Sequence, residues 1–174
     1  METLTLASID IGSNAARLLI RRIEADGRTR PASAKLLFLR YPLRLGDDVF
    51  VAGSISPARV KKMCRMIKAF RQLMRLYGVA SYRACATSAM REAANGREVA
   101  RLIKRRTGVR IEIISGSTEA SIIIVPAAEI FLMIAEVLGA KRIAVPMLGL
   151  ADGIIDDMYA RHCAAARLGA GRRK

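Results

Sequence analysis

The order in which strand-like and helix-like patterns follow one another constrains the fold of this chain more than any single residue does. Residues 3–9, TLTLASI, read as a buried strand running into Asp10, and Ile11-Gly12-Ser13-Asn14 supplies turn chemistry before a second strand from Arg17 to Ile23. The two strands read as a β-hairpin. Asp26-Gly27 is a turn signal that leads to a third strand through Leu36 to Arg40. Ser56-Pro57 then opens a helix, with Ser as N-cap and Pro at the first helical position. Val60, Met63, Ile67, Phe70, Met74 and Tyr77 follow at helical spacing, and Gly78 closes the element. Tyr82 to Thr87 is a short strand. Asn95, with Glu98 three residues on, reads as the cap of a second helix that carries Val99, Leu102 and Ile103 and ends at Thr107-Gly108. Val109 to Ile113 alternates as a strand should. The order is β-β-β-α-β-α-β, an α/β class.

Composition narrows the partners. With 174 residues, 52% of them hydrophobic, the chain has ample material for one packed domain and is not a disordered tail. Thirty Lys and Arg against fifteen Asp and Glu give a formal charge of +15, which favours anionic partners: nucleic acid, polyphosphate, nucleotide or acidic lipid. Any single arginine is still expected on a solvated helix face. Aromatic residues are 5% with no Trp, which argues against base stacking and so against single-stranded nucleic acid. Cys64, Cys85 and Cys163 are odd in number and lack a C-x-x-C pattern, which suits a reducing cytoplasm and indicates neither a disulfide framework nor a zinc site. The start METLTLASID has no secretion pattern. The longest apolar segment, Ile122 to Leu138, contains Pro126, Glu129 and Glu136 and falls short of the roughly 20 residues of a membrane span, so it reads as a buried helix.

Towards the C-terminus, Pro126 to Leu138 reads as a helix ended by Gly139, Arg142 to Val145 as a short strand, and Gly149 to Gly153 as the entry to a last helix. Asp152, Asp156 and Asp157 fit the acidic preference of a helix's first turns, and His162 reads as a surface residue.

Three loop segments carry the chemistry. They are IDIGSNAARLLI at 9–20, CATSAMREAANG at 85–96 and IEIISG at 111–116. Together, and in this order, they resemble the exopolyphosphatase and guanosine-pentaphosphate phosphohydrolase family, Ppx/GppA. The resemblance implies a ribonuclease-H-like domain of the actin-like ATPase superfamily, an arrangement that the element order also fits. It covers most of residues 3–120 and resumes at 123–159. The family's long central stretch, with a second glycine-rich phosphate loop and most of a second domain, is missing between them. An internally shortened member is therefore implied: a phosphate-binding domain over 1–120, a C-terminal α-β-α remnant of the second domain over 121–163, and a basic tail over 164–174.

Residue by residue, the resemblance sits beside plainer readings. Gly12, Ser13 and Asn14 form either a nest of backbone N–H groups that binds phosphate or a plain hairpin turn. Asp10 would hold Mg²⁺ through its water shell, or cap that turn. Arg17 would meet charge developing on a phosphoryl oxygen, while its neighbours Arg21 and Arg22 are expected to face solvent. Arg91 and Ser88 match the second motif, which puts them near phosphate, and Asn95-Gly96 reads as a structural cap and turn. The family's loop Ser-Gly-x-Glu-Glu-Ala lays its second Glu, the implied base, on Glu119, while Thr118 replaces the first. The stretch Gly116-Ser117-Thr118-Glu119 also copies the end of the missing second loop, so two origins for this carboxylate stay open. Two functions follow. One is an Mg²⁺-dependent phosphohydrolase releasing terminal phosphate from inorganic polyphosphate or guanosine pentaphosphate, its activity expected to be impaired by loss of the second phosphate loop. The other is a non-catalytic shortened paralogue that binds polyphosphate or RNA, or pairs with a full-length partner. Apolar surface left by the missing domain predicts a homo-oligomer.

Overall fold

The opening strand is buried on both faces, and the rest of the molecule is arranged around it. The computed structural model describes residues 2–25, 32–122 and 150–170. Strands β1 (Glu2–Ile11), β2 (Ala16–Ala25) and β3 (Ala32–Tyr41) form an antiparallel meander. Helices α1 (Leu45–Ala52) and α2 (Pro57–Leu76) follow, then β4 (Ser81–Ala86), α3 (Ser88–Glu92), α4 (Gly96–Thr107) and β5 (Glu112–Ile113). A helix α5 starts at 116 and continues through 122, where the described segment ends; α6 (Leu150–Ala170) completes the order. The sheet runs β3-β2-β1-β4-β5, with β1, β4 and β5 parallel to one another. This is the ribonuclease-H-like arrangement.

The period of two along β1 sorts its side chains between two cores. Ala7, Ile9 and Ile11 point to the face covered by α2 and α4, where Met63, Ile67, Phe70 and Ile103 complete the larger cluster. Leu6 faces the other way, with Leu19 and Ile23 of β2, onto Ala151 and Ile155 of α6. On that second face the buried Ser8 hydroxyl donates to the Ala151 carbonyl at 2.7 Å. Ser8 and Asp10 are the polar residues of β1 that are buried, both on this second face.

Several expectations change in three dimensions. Helices α1 and α3 were not anticipated; each is too short for periodicity to reveal it, with eight and five residues. Ser56 does cap α2, accepting from Arg59 N–H. Asn95, by contrast, makes no capping bond. Its amide instead pairs with the peptide groups of Ile55, accepting from N–H at 2.9 Å and donating to C=O at 2.8 Å, and so pins the α1–α2 connection to the start of α4. Strand β5 is shorter than Val109 to Ile113. Val109 N–H is taken by Thr107 Oγ1 and Arg110 N–H by Tyr82 Oη, which leaves those residues outside the ladder.

The arginines of β2 and β4 also differ from expectation. Arg21 is not solvent-facing: it lies between Leu19 and Ile23 on the α6 face and donates to Asp152 at 2.5 Å, while Arg22 is exposed. Arg83 reaches Asp157 at 2.8 Å. Asp152 and Asp157 are therefore partners for sheet cations, because a guanidinium half-buried under a helix needs an anion there. His162 is exposed, as expected. The Asp26-Gly27 turn, the helix read at 126–138 and the strand read at 142–145 lie outside the described residues. Among the described residues, no helix is long and apolar enough to cross a membrane.

Candidate active site

Because β1, β4 and β5 are parallel and in register at Ile11, Ala86 and Ile113, the three loops that follow them leave the sheet along one edge. Neighbouring strands are about 5 Å apart, so the first and third loops start about 10 Å from each other. Carboxyl ends of parallel strands are where open α/β sheets place their sites.

The loop after β1 is tightly drawn. Gly12 N–H donates inward to the Ala15 carbonyl at 3.0 Å, so it does not belong to an outward nest. Ser13 and Asn14 N–H make no backbone hydrogen bond among the described residues, and Asn14 is exposed at the rim. The carbonyls of Ser13 and Asn14 accept from Gly46 N–H at 2.9 Å and Arg44 N–H at 2.8 Å, so the start of α1 braces the loop from behind. Arg44 takes a left-handed conformation, φ 52°, to make this contact. Non-glycine residues adopt it at a cost of order 1–2 kcal/mol. No pattern in the sequence marks Arg44 or Gly46 as part of the site.

Asp10 stands opposite Arg17 in the β1–β2 register, and the two side chains meet at 2.6 Å. Asp10 is 2% exposed. Burial pushes its carboxyl above the usual range, and the hydrogen bond and charge of Arg17 pull back only part of that shift. Arg17 is thus turned toward Asp10, with 40% of its side chain accessible. On the other side of Asp10 in register, the buried Cys85 thiol is pushed up to about 11, chiefly by burial, which keeps it protonated and excludes it as a nucleophile at neutral pH.

The loop after β4 turns at once into α3. Thr87 N–H donates to the Ile11 carbonyl, and the Ser88 hydroxyl shares a hydrogen bond with the Ser13 hydroxyl at 2.7 Å, joining the first two motifs. Arg91, near the end of α3, donates to the Ile114 carbonyl at 2.9 Å and lies 3.7 Å from the Glu119 carboxylate, joining the second motif to the third. Ser115 caps α5: its hydroxyl accepts from Thr118 N–H at 3.1 Å and lies 2.8 Å from Thr118 Oγ1. Glu119 N–H donates to the Ser115 carbonyl, which sets its carboxylate in the first turn of a helix rather than in an open turn. The residues singled out from sequence thus meet in three pairs: Asp10 with Arg17, Ser13 with Ser88, and Arg91 with Glu119. The cap at Ser115 was missed, although a Ser before a helical start is its ordinary sign.

Asp10, paired with Arg17, and Glu112, paired with Arg83, are carboxylates on the strand ends, and no group of three His, Cys, Asp or Glu that could hold a metal ion occurs among the described residues. This donor set fits a hard cation held mostly by water and substrate oxygens, as Mg²⁺ is, and does not fit an all-protein cage.

A five-stranded mixed sheet with three loops gathered at its parallel strand ends defines a ribonuclease-H-like domain of the actin-like ATPase superfamily. Residues 33–129, more than half of the chain, match the Ppx/GppA phosphatase family, and the chain belongs to that family. It is 30% identical over 115 residues to exopolyphosphatase 1 of Mycobacterium leprae, an alignment covering 66% of this chain and 33% of that protein. The crystal structure of the Aquifex aeolicus Ppx/GppA family member superposes with a TM-score of 0.65 at 28% identity, covering 80% of this chain and 42% of that one. An exopolyphosphatase from Cytophaga hutchinsonii gives a TM-score of 0.62 at 28% identity over 69% of this chain and 37% of that one. The chain spans about a third of the length of the curated exopolyphosphatases it matches.

Proposed function

We propose that this protein is a phosphohydrolase that releases terminal phosphate from inorganic polyphosphate or guanosine pentaphosphate. The observation that carries the reading is the pairing of Arg91 with Glu119 at 3.7 Å on the sheet edge that also holds Ser13 and Ser88. Hydrolysis of a terminal phosphate needs a base beside the attacking water and cations beside the phosphoryl oxygens. Glu119 would position and deprotonate the water. Arg91, Ser88, Ser13 and the N–H groups of Ser13 and Asn14 would hold the phosphate, with the Gly12 N–H bond to the Ala15 carbonyl closing the turn behind them. Arg17 would turn from Asp10 to share its charge with the phosphoryl group. Mg²⁺, held through water by Asp10, would neutralise phosphate charge when bound. Three unpaired cysteines suit a cytoplasmic setting.

The test is phosphate release from polyphosphate by the purified protein and by Glu119→Gln. Loss of a group that acts only in the transition state lowers the rate by about 10²- to 10³-fold. Equal release by both proteins would refute the catalytic assignment.

A second reading is favoured by the net charge of +15 and by the family loop that the chain lacks. In it, an internally shortened paralogue binds polyphosphate without turning it over, self-associating through apolar side chains such as Phe50 and Val51, which are 61% and 87% exposed. Tight binding with no release of phosphate by the wild type selects this reading.

A further inference from the structure

We infer that the groove between α4 and the β5 edge is a binding track for a linear polyanion, and that its occupant is the body of a polyphosphate chain whose end lies at the strand-end loops. The groove has a volume of 520 Å³, and Arg97, Arg101, Lys104 and Arg110 line it. Arg97, Arg101 and Lys104 stand three and four residues apart, so they share one face of α4, and the row they form is about 10 Å long. All four groove cations are exposed, and none makes an ion pair among the described residues. This sets them apart from Arg17, Arg21, Arg59, Arg83 and Arg91, each of which faces a carboxylate. Like charges at such spacing weaken a helix when nothing neutralises them. An anion in the groove would remove that penalty.

The groove adjoins the candidate site. A second hollow of 320 Å³, lined by Arg91 and Ser115, shares Arg97 and Ile113 with the first. A chain held at Arg91 by its terminal phosphate would meet Arg97, which lines both hollows, and then Arg101 and Lys104. Among the described residues β5 is the edge strand of the sheet, so no further strand lies beside the groove there. The floor is Ala100, Ile111 and Ile113, with no aromatic ring for a base to stack on, which favours polyphosphate over RNA.

The direction of the track rests on the phosphate-site reading above, but its test reads binding and not turnover, so the two fail separately. Affinity for long-chain polyphosphate and for tripolyphosphate is measured by titration calorimetry on the wild type and on two charge-reversed doubles. One is Arg101→Glu/Lys104→Glu in the groove. The other is Arg105→Glu/Arg106→Glu on the same helix, with the same change in net charge but outside the groove lining. The groove double is expected to bind the long chain at least about tenfold more weakly and with a shallower salt dependence, while its tripolyphosphate affinity and the control's long-chain affinity stay near wild type. Equal weakening by both doubles would reduce the effect to net charge and overturn the track. Absence of long-chain binding by the wild type overturns it too, as does RNA displacing polyphosphate at equal or lower concentration.

Discussion

The guanidinium of Arg91 donates to the Ile114 carbonyl at the end of the sheet and lies 3.7 Å from the Glu119 carboxylate at the start of α5. One side chain thus ties the second motif to the third and aligns the proposed base with a cation. Arg91→Ala is expected to lower phosphate release by about 10²- to 10³-fold. Arg91→Lys, which keeps the charge but loses the planar fork, is expected to be impaired as well. Groups that act as a unit are not additive, so Arg91→Ala/Glu119→Gln should release phosphate at nearly the rate of the worse single variant. Fully additive losses would mean that the two side chains act independently.

Ser13 and Ser88, 75 residues apart in sequence, share a hydrogen bond at 2.7 Å. Removing either hydroxyl deprives the other of its partner at a cost of about 1 kcal/mol. Ser13→Ala and Ser88→Ala are each expected to lower Tm by about 2–4 °C, and the double variant by little more than one of them. Thermal melts of the three variants measure this directly.

Two glycines are fixed by close backbone contact. A Cβ on Gly96 would lie 2.0 Å from the Met90 carbonyl oxygen, and one on Gly153 would lie 2.2 Å from the Ile122 carbonyl oxygen. Alanine at either position is expected to cost about 1–3 kcal/mol or more, because backbone rather than a flexible side chain must give way. Gly153→Ala should also reduce phosphate release, since Ile122 lies on the helix that carries Glu119. Gly116, at the start of the same helix, has open space around it, and Gly116→Ala should raise stability by about 0.5–1 kcal/mol. Denaturant midpoints for the three variants distinguish the two classes.

Asp48 gives the stability a component that depends on acid. Burial acts to raise its carboxyl, but hydrogen bonds from Ser56 and Arg59, with the Arg59 charge, outweigh burial and leave it below the usual range. A carboxyl depressed in the folded state stabilises fully above its unfolded value of about 3.9 and loses that contribution as pH falls through the lower folded value. Asp48→Asn should therefore melt below the wild type at neutral pH. The gap should narrow as the pH is taken below about 4. A gap that stays constant through that window would assign the effect to packing.

What could be read in advance was local. The hairpin of β1 and β2, the Ser56 cap of α2 and the three motifs each depend on residues within a dozen positions of one another, and each has its expected place along the chain. What could not be read was set by distant partners. Arg21 finds Asp152 at a separation of 131 residues, and Asn95 finds Ile55 at 40, so a solvated arginine and a helix cap on paper become half-buried ties in the molecule. Helices α1 and α3 escaped because eight and five residues span too few turns to show a period, while Arg44 adopts its left-handed φ for the sake of the Asn14 carbonyl. In the site, residue types were legible and pairings were not. No periodicity announces that Ser13 will meet Ser88.

The bond from the Ser8 hydroxyl to the Ala151 carbonyl joins residues 143 apart in a chain of 174. Until α6 has left the ribosome, Leu6, Leu19 and Ile23 lack Ala151 and Ile155, the α6 residues buried with them in the folded protein. Such long-range closure slows folding and lengthens exposure to aggregation. Each newly made copy therefore completes this face only when α6 arrives, and until then the strand surface around Ser8 is exposed to aggregation.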